Sequence, residues 1–391
     1  MTDESTADVL IVGAGVIGCL TAYYLAKAGI KVIVVEADAV ASGASGTSGG
    51  WLTPYSHTND PAMLALSSKS LSLHRELSMA LPEETGIDHG FQESPYLRCA
   101  FTEYGISELR SWQADRAAEG NVMEWISPAD IKQINPWITA EISGALLSNS
   151  EPTLDSYRLT LSAMEASEKY GASVVTGRVV GLTRDGSNSR ALGVDMEDGS
   201  RIAGGAVLLA MGPWTGIGAA WIGSPLPVTP QRGQLVYLAA PAAGEGPELS
   251  SGFSAIERSG SVIKKRLTDN TVGSTREHVG FDRSTTTEAR DQLLIQVAAL
   301  SERVFSARIS GQTACLRPIT PDGRPYVGRA PDWDNVYVAA GHASEGIHYA
   351  PITATAMANL IGDGTAKIEI SALSPERAGR QWSADGNNTD Q

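Results

Sequence analysis

The chain begins with an apolar run at residues 9–18 that passes directly into the glycine pattern Gly13-x-Gly15-x-x-Gly18. The first glycine permits a tight turn, the second lets the backbone approach a pyrophosphate, and the third lets a helix pack closely on its strand. The helix that follows, ending near Gly29, presents free N–H groups and a partial positive charge at its N-terminus. This order predicts a dinucleotide site, and the alternative is a βαβ unit with flexible glycines and no phosphate ligand.

A second apolar strand at residues 31–36 ends in Glu36, 21 residues after Gly15. A carboxylate at this place can accept hydrogen bonds from the hydroxyls of an adenosine ribose, and it repels the 2′-phosphate of NADP. Small residues then fill positions 41–50, where a backbone can wrap closely around a ligand and donate several N–H groups. A flexible linker is the alternative interpretation of this glycine-rich and serine-rich segment.

The length of 391 residues exceeds what one hydrophobic core usually supports, so two domains are expected. The net charge of −14, with no basic stripe, argues against a nucleic-acid partner.

Residues 1–8 have no signal-peptide pattern, and glycines and a proline interrupt the apolar stretch 206–222, so we expect no membrane span and a cytoplasmic location. Three cysteines without zinc-ligand spacing predict no metal site.

Two further strands, within 204–210 and 335–340, end in glycine turns, and the second opens onto a helix predicted from about Ala350 to Ile361. Open α/β sheets bind ligands at the carboxyl ends of such strands. Shorter, more alternating strands at 234–238 and 261–266 predict an antiparallel sheet with one solvated face.

With these features the chain resembles the D-amino-acid oxidase-like superfamily of FAD-dependent amine oxidoreductases, nearest the glycine oxidase, sarcosine oxidase and D-amino-acid dehydrogenase branches. The resemblance rests on the first glycine pattern, the small-residue loop 43–46, the turn 210–214, and the segment 316–325 that leads to the glycines of 341–347. It covers nearly the whole chain and is specific for the family, not for the substrate.

The resemblance implies an α/β fold, in which a Rossmann-like FAD-binding domain accompanies an α+β substrate domain with an antiparallel sheet. Both domains are expected to be discontinuous along the chain, and the tail is expected to be disordered. The expected bounds are 1–77, 148–224 and 311–382 for the FAD-binding domain, 78–147 and 225–310 for the substrate domain, and 383–391 for the tail.

The resemblance also assigns the cofactor to discontinuous stretches that meet the pyrophosphate, ribose, adenine and flavin ring of FAD. These residues are Gly13, Gly15, Val16, Ile17, Gly18, Glu36, Ala37, Ser42, Ala44, Ser45, Gly49, Gly50, Trp51, Leu52, Val179, Ala210, Gly212, Trp214, Gly341, His342, Gly346, Ile347 and His348. A helix N-terminus near the last of them would stabilise negative charge on the reduced ring.

The implied activity is oxidation of the C–N bond of an amino acid or secondary amine by hydride transfer to flavin N5, giving an imine that hydrolyses. The electron acceptor is either O2 or another molecule. The oxygen-activating lysine of sarcosine oxidases aligns with Thr271 in this chain, and Lys264 and Lys265 are out of that register, so the sequence does not decide between the two. The alternatives are a flavoprotein oxidising a hydroxy acid or alcohol, an NAD-dependent dehydrogenase, and a noncatalytic flavin-binding protein.

Arg317 matches the arginine that binds the substrate carboxylate in the glycine and D-amino-acid oxidase branches, and a structural ion pair is the alternative. His348 stands where sarcosine oxidases carry a basic residue, so it is either a second anchor or a packed helix histidine. Ser344 replaces an arginine of the glycine oxidases, which leaves specificity for glycine open.

Tyr55 and His57 directly follow the small-residue loop and are candidates for the substrate pocket. Cys315 stands at the place of the cysteine that forms a covalent flavin thioether in sarcosine oxidases. Its context is only partly similar, so noncovalent FAD is expected. The sequence leaves the substrate, its stereochemistry and the oligomeric state open.

Overall fold

The structure is a computed structural model and describes residues 6–53, 60–118, 122–186, 189–240, 247–258 and 260–379. The candidates Tyr55 and His57 and the tail 383–391 lie outside the described residues. None of the described helices is both long and apolar enough to cross a membrane.

The secondary structure alternates between strands and helices. The strands are β1 (Thr6–Val12), β2 (Val32–Glu36), β3 (Tyr96–Ala100), β4 (Glu124–Ile126), β5 (Gly144–Ser148), β6 (Ser173–Thr176), β7 (Val179–Arg184), β8 (Ala191–Met196), β9 (Arg201–Leu209), β10 (Thr229–Leu238), β11 (Gly252–Ala255), β12 (Ser261–Ile263), β13 (Asn270–Gly273), β14 (Ile309–Ile319), β15 (Tyr326–Arg329) and β16 (Val336–Ala340). The α-helices are α1 (Val16–Lys27), α2 (Pro61–Thr85), α3 (Glu103–Ala118), α4 (Pro128–Ile134), α5 (Ser156–Lys169), α6 (Gly218–Ile222), α7 (Thr287–Ala298) and α8 (Gly346–Asp363). Short 3₁₀ turns occupy Ala44–Thr47, Gly212–Ile217, Glu302–Phe305, Ala343–Glu345 and Ser371–Leu373.

The first sheet has the central order β15-β16-β9-β1-β2-β6, with β8 pairing β9 and β7 pairing β8. Its strands β16, β9, β1, β2 and β6 run parallel, and β15, β8 and β7 are antiparallel additions. Along β1, Val9 and Ile11 enter one core with α1, α5 and α8, and Leu10 and Val12 enter the other. Burial on both faces explains the continuous apolar runs of β1 and β2 and confirms the predicted α/β class.

The second sheet has the order β14-β10-β13-β12-β11-β3-β5-β4. Its strand pairs are antiparallel except β11 with β3, which run parallel. The sheet is therefore mainly antiparallel, as predicted, with one parallel pair. The two parallel strands come from segments more than 150 residues apart, so no hairpin constrains their direction. Among the strands predicted here, 234–238 falls within β10, and the strand at 261–266 already ends at Ile263.

Strand β14 pairs with β10 over ten positions and therefore belongs to the second sheet, although it follows the 225–310 segment in the chain. The core of this sheet packs against α7 and contains Leu97, Val236, Val272 and Leu293. The division of the chain into the two predicted domains stays a prediction.

Helix α8 begins at Gly346, four residues before the predicted start. Pro351 has no N–H to donate to the carbonyl oxygen of Ile347. This missing hydrogen bond favours a later start of the helix. In the structure the buried side chain of His74 replaces that donor, with its Nε2 2.9 Å from the Ile347 oxygen. A contact from α2 thus lets α8 extend to the ligand-binding edge of the first sheet.

Candidate functional site

A cleft of about 1320 Å³ lies between the carboxyl ends of the parallel strands of the first sheet and the second sheet. Small-molecule pockets usually measure roughly 300 to 1,000 Å³, so this cleft has room for a dinucleotide together with a small substrate. Among the described residues, no cluster of histidine, cysteine and carboxylate side chains could hold a metal ion.

The first glycine turn forms one end of the cleft. Gly13 has φ +109°, and a Cβ there would lie 2.5 Å from the oxygen of Ala210. A Cβ at Gly18 would lie 2.0 Å from the oxygen of Gly13, so this glycine lets α1 pack against the turn. Gly15 has φ −76°, and a Cβ there would have one neighbouring atom, Ser45 Oγ at 3.2 Å. Backbone conformation and packing therefore require the outer two glycines, and the middle one leaves open space in the cleft.

Glu36 lies at the end of β2 and lines the cleft. Its Oε2 accepts a hydrogen bond from the Ala14 N–H at 2.7 Å, and its Oε1 accepts one from the Asp38 N–H at 2.9 Å. The carboxylate thus fixes the glycine turn to β2. A carboxylate has about four acceptor positions, so two remain for the hydroxyls of a ribose.

The small-residue loop is tied to both walls of the cleft. Ser45 Oγ accepts a hydrogen bond from the Val16 N–H at 2.9 Å, at the start of α1. Lys265 Nζ donates to the oxygen of Gly49 at 2.8 Å and also to that of Leu154. Burial lowers the pKa of Lys265 to about 8. Sequence reasoning considered Lys265 only for oxygen activation and missed this tie, because no local pattern links residues 216 positions apart.

The carboxyl end of β16 brings two buried histidines to the cleft. His342 Nε2 lies 3.0 Å from Thr353 Oγ1, and His348 Nε2 lies 2.8 Å from Ser67 Oγ. Burial lowers the pKa of each to about 3, and for His348 the neighbouring His74 contributes further. Both rings are therefore neutral at pH 7, so His348 supplies no positive charge to a substrate carboxylate.

Arg317 lies on β14, is 8% exposed and lines the cleft. Its Nη1 donates to the oxygen of Thr275 at 2.8 Å and its Nη2 to Ser274 Oγ at 2.7 Å. Gly233 on β10 makes room, since a Cβ there would lie 2.3 Å from Nη2. Within the described chain no carboxylate forms an ion pair with this guanidinium. The arginine therefore faces the cleft with an unbalanced charge, although burial lowers its pKa from the ordinary value.

The segment that holds Arg317 is itself fixed by a second arginine, Arg232 on β10. Arg232 is 5% exposed, and its Nη2 lies 2.6 Å from Glu277 Oε2. The other carboxylate oxygen of Glu277 accepts hydrogen bonds from Thr275 Oγ1 and, at 3.0 Å, from Gln234 Nε2. Arg232 also pairs with Asp282. Sequence reasoning missed this network because its members are far apart in the chain.

Another buried pair lies at the substrate-sheet end of the cleft. Arg98 donates both Nη groups to the carboxylate of Glu151, with the longer contact at 2.8 Å. Its guanidinium lies 4.9 Å from the ring centre of Tyr96, which stacks on Trp51 with ring centres 4.5 Å apart. Trp51 was assigned to the cofactor, but the surrounding charged and aromatic partners were not predicted.

Cys315 also lines the cleft, two residues before Arg317. Burial raises the pKa of its thiol. Since the thiolate is the nucleophilic form of cysteine, this environment disfavours attack on a flavin.

Most residues that the sequence assigned to FAD meet at this one cleft. Three of them do not line it. Gly18 packs α1 against the turn, Leu52 is fully buried in the first core, and Gly341 forms a turn with φ +93° beside Thr320. The residues that do line it are Gly13, Gly15, Val16, Ile17, Glu36, Ala37, Ser42, Ala44, Ser45, Gly49, Gly50, Trp51, Val179, Ala210, Gly212, Trp214, His342, Gly346, Ile347 and His348.

Comparison with known proteins identifies a family and relatives of the same fold. The family model described as "DAO: FAD dependent oxidoreductase" matches residues 8–360. The glycine oxidase of Pseudomonas aeruginosa is 30% identical, with 95% of this chain and 99% of the relative covered. The glycine oxidase of Geobacillus kaustophilus is 28% identical over 95% of this chain and 97% of the relative. A crystal structure of glycine oxidase from Geobacillus kaustophilus superposes with a TM-score of 0.87 at 27% identity, covering 95% of this chain and 98% of the other.

Proposed function

The chain belongs to the DAO family of FAD-dependent oxidoreductases, and we propose that Arg317 binds the carboxylate of its amino acid substrate over the flavin. FAD-dependent oxidation of an amine or amino acid is the activity that the family and the glycine oxidase relatives support. The observation that carries the proposal is a buried guanidinium at the cleft whose partners among the described residues are neutral.

The residues of the cleft fit FAD. The open space at Gly15, the start of α1 and the carboxylate of Glu36 suit a pyrophosphate and a ribose. The neutral ring of His342 and the N-terminus of α8 suit a flavin ring. When bound, FAD supplies the acceptor for the two electrons of the C–N bond.

The protein's part is to orient the substrate. Arginine carries five N–H groups in a planar fork, and Arg317 uses one each toward Thr275 and Ser274. These two contacts fix the plane of the guanidinium, and the remaining N–H groups can meet both oxygens of a carboxylate. Fixing the carboxylate restricts where the neighbouring C–N bond lies, which is the orientation that oxidation requires.

We further propose that the protein is cytoplasmic and that O2 or another acceptor takes up the electrons. Glycine is the first substrate to test, since the relatives are named glycine oxidases. The serine at position 344, where the glycine oxidases resembled here carry an arginine, makes a broader panel necessary.

The experiment is anaerobic bleaching of the flavin by D- and L-amino acids, N-methyl amino acids, the corresponding decarboxylated amines and hydroxy acids. A hydrogen bond to a charged group contributes roughly 1.5 to 3 kcal/mol, and each 1.4 kcal/mol is about tenfold in rate. We therefore expect Arg317→Ala to lower kcat/KM for the amino acid about ten- to a hundredfold, with bound FAD unchanged.

Arg317→Lys is the matched control, because it keeps the charge and loses the fork. It should recover only part of the loss, and the decarboxylated amine should react equally with all three proteins. Equal losses for the amino acid and its decarboxylated analogue would refute the carboxylate role. Bleaching by hydroxy acids alone would replace amine oxidation with oxidation of an alcohol.

A further inference from the structure

The segment 274–286 separates its charges between two directions. Its acidic residues Glu277 and Asp282 are both paired with Arg232, which is buried behind the segment, and Glu277 lines the cleft with its charge balanced in this way. Its basic residues Arg276 and Arg283 are exposed and line the cleft. In a chain with a net charge of −14, this segment therefore presents positive charge to the ligand.

Neither of these two arginines has an ion-pair partner in the part of the chain that the structure describes. Two other arginines of the cleft do have carboxylate partners: Arg178 is paired with Glu197, and Arg98 with Glu151. Arg258 has no ion pair among the described residues, but its guanidinium lies over the ring of Phe101 at 5.2 Å. The acidic lining residue Glu288, at the start of α7, forms no ion pair with either arginine.

The position of Arg276 relative to Arg317 follows from the backbone. Ser274 and Thr275 hydrogen-bond the guanidinium of Arg317, and Arg276 is the next residue. Consecutive Cα atoms are only about 3.8 Å apart, so the Arg276 side chain starts beside the two residues that the guanidinium of Arg317 contacts from β14. Like charges placed together without a counterion repel each other, and a ligand with two anionic groups would relieve that repulsion.

We infer that Arg276 and Arg283 form a second anion subsite beside Arg317, so that the preferred ligands are amino acids with a second acidic group. The inference rests on the proposed function, because Arg317 is assigned to the first carboxylate. Phe281 lies between the two arginines in the chain, lines the cleft and adds an apolar surface for the carbon chain between the two acids.

The test measures binding rather than turnover. The FAD-loaded protein is titrated with three pairs of unreactive acids of equal carbon number, propanoate and malonate, butanoate and succinate, pentanoate and glutarate, and the flavin absorbance is followed. A charge-assisted hydrogen bond from the second subsite to the second carboxylate should make at least one dicarboxylate bind about tenfold or more tightly than its monocarboxylate. The best chain length reports the distance between the two subsites.

Arg276→Gln and Arg283→Gln should each reduce the dicarboxylate advantage and leave monocarboxylate binding unchanged. Arg290→Gln is the matched control, since Arg290 is on α7, is paired with Asp291 and does not line the cleft. Arg317→Ala should weaken both members of each pair.

The inference is overturned if no dicarboxylate is preferred, or if the preference survives both substitutions. It is also overturned if Arg290→Gln abolishes the preference equally. The preference would then come from the overall electrostatic field of the protein and not from a local subsite. A loss of FAD in Arg276→Gln or Arg283→Gln would assign these arginines to the cofactor phosphates. If monocarboxylates fail to bind at all, the role of Arg317 fails separately, and the dicarboxylates still report on the second subsite.

Discussion

The two walls of the cleft are built in different ways. On the cofactor wall, β1, α1 and β2 follow each other within residues 6–36, and the glycine turn between them is held by Glu36 from the same unit. On the opposite wall, Arg232 meets Glu277 across 45 positions, and Arg317 meets Thr275 across 42. The cofactor wall uses backbone groups that are local in sequence. The substrate wall uses side chains that only the folded sheet brings together.

The largest expected effect is unfolding at acidic pH, and it follows from where the histidines lie. His74, His342 and His348 are buried near the cofactor wall, His89 is buried elsewhere among the described residues, and His278 on the other wall is exposed. Burial lowers the pKa of His74 and His89 to about 4 and of His342 and His348 to about 3.

Below pH 6.5 the unfolded chain therefore binds protons that the folded chain refuses, and stability falls as the pH falls. Each histidine contributes up to about 1.4 kcal/mol per pH unit, so four can exhaust an ordinary stability of about 5 to 15 kcal/mol above pH 4. We expect cooperative unfolding with FAD release between pH 6.5 and 4. Flavin fluorescence measures the release, and denaturant titration measures the free energy of unfolding at each pH.

His89→Phe should reduce the pH dependence of the unfolding free energy by about one proton, because His89 does not line the cleft and its pKa shift is removed. An identical pH dependence in His89→Phe and the wild type would show that this buried histidine is protonated in the folded state.

The next effect tests the local character of the cofactor wall. Gly15 has an ordinary extended backbone, so Gly15→Val changes the space in the cleft rather than the chain conformation. We expect the apo-protein to stay folded and FAD affinity to fall at least about a hundredfold, measured by flavin fluorescence. Ala28→Val, at the exposed end of α1, is the control and should bind FAD normally. A full flavin spectrum in Gly15→Val would exclude the glycine turn as the site.

A smaller effect is expected on the substrate wall. Arg232→Met leaves Glu277 without its buried partner, and breaking such a pair costs about 3 kcal/mol. Chemical unfolding should show this loss, and kcat/KM should fall because Thr275 no longer fixes Arg317. FAD content should stay constant. Arg201→Met removes the exposed pair with Asp195 and should cost less than about 1 kcal/mol. Similar losses in the two variants would remove the positioning role of Arg232.

The smallest effect concerns Cys315. We expect acid precipitation to release FAD from the wild type and from Cys315→Ser alike, because the buried thiol resists ionisation. The substitution should change stability by less than about 2 kcal/mol, since it exchanges one small buried side chain for another. Yellow colour that stays in the wild-type pellet and disappears in Cys315→Ser would establish a covalent link.

The sequence alone predicted the α/β class and the cofactor wall. Apolar runs ending in glycine turns specify buried parallel strands, and the residues that need those turns are adjacent in the chain, so Gly13, Gly15 and Glu36 could be assigned without a structure. The family resemblance also predicted a substrate role for Arg317, but only from its position in the chain, and it did not identify what holds that side chain.

Tertiary structure decided the substrate wall. The parallel pairing of β11 with β3, the hydrogen bond from His74 that extends α8, and the contact of Lys265 with Gly49 each join segments more than 150 residues apart. Such contacts depend on strand register and on the burial of whole elements, which no local periodicity encodes. The charges of 274–286 are visible in the sequence, but only the fold shows which ones Arg232 neutralises and which ones face the cleft.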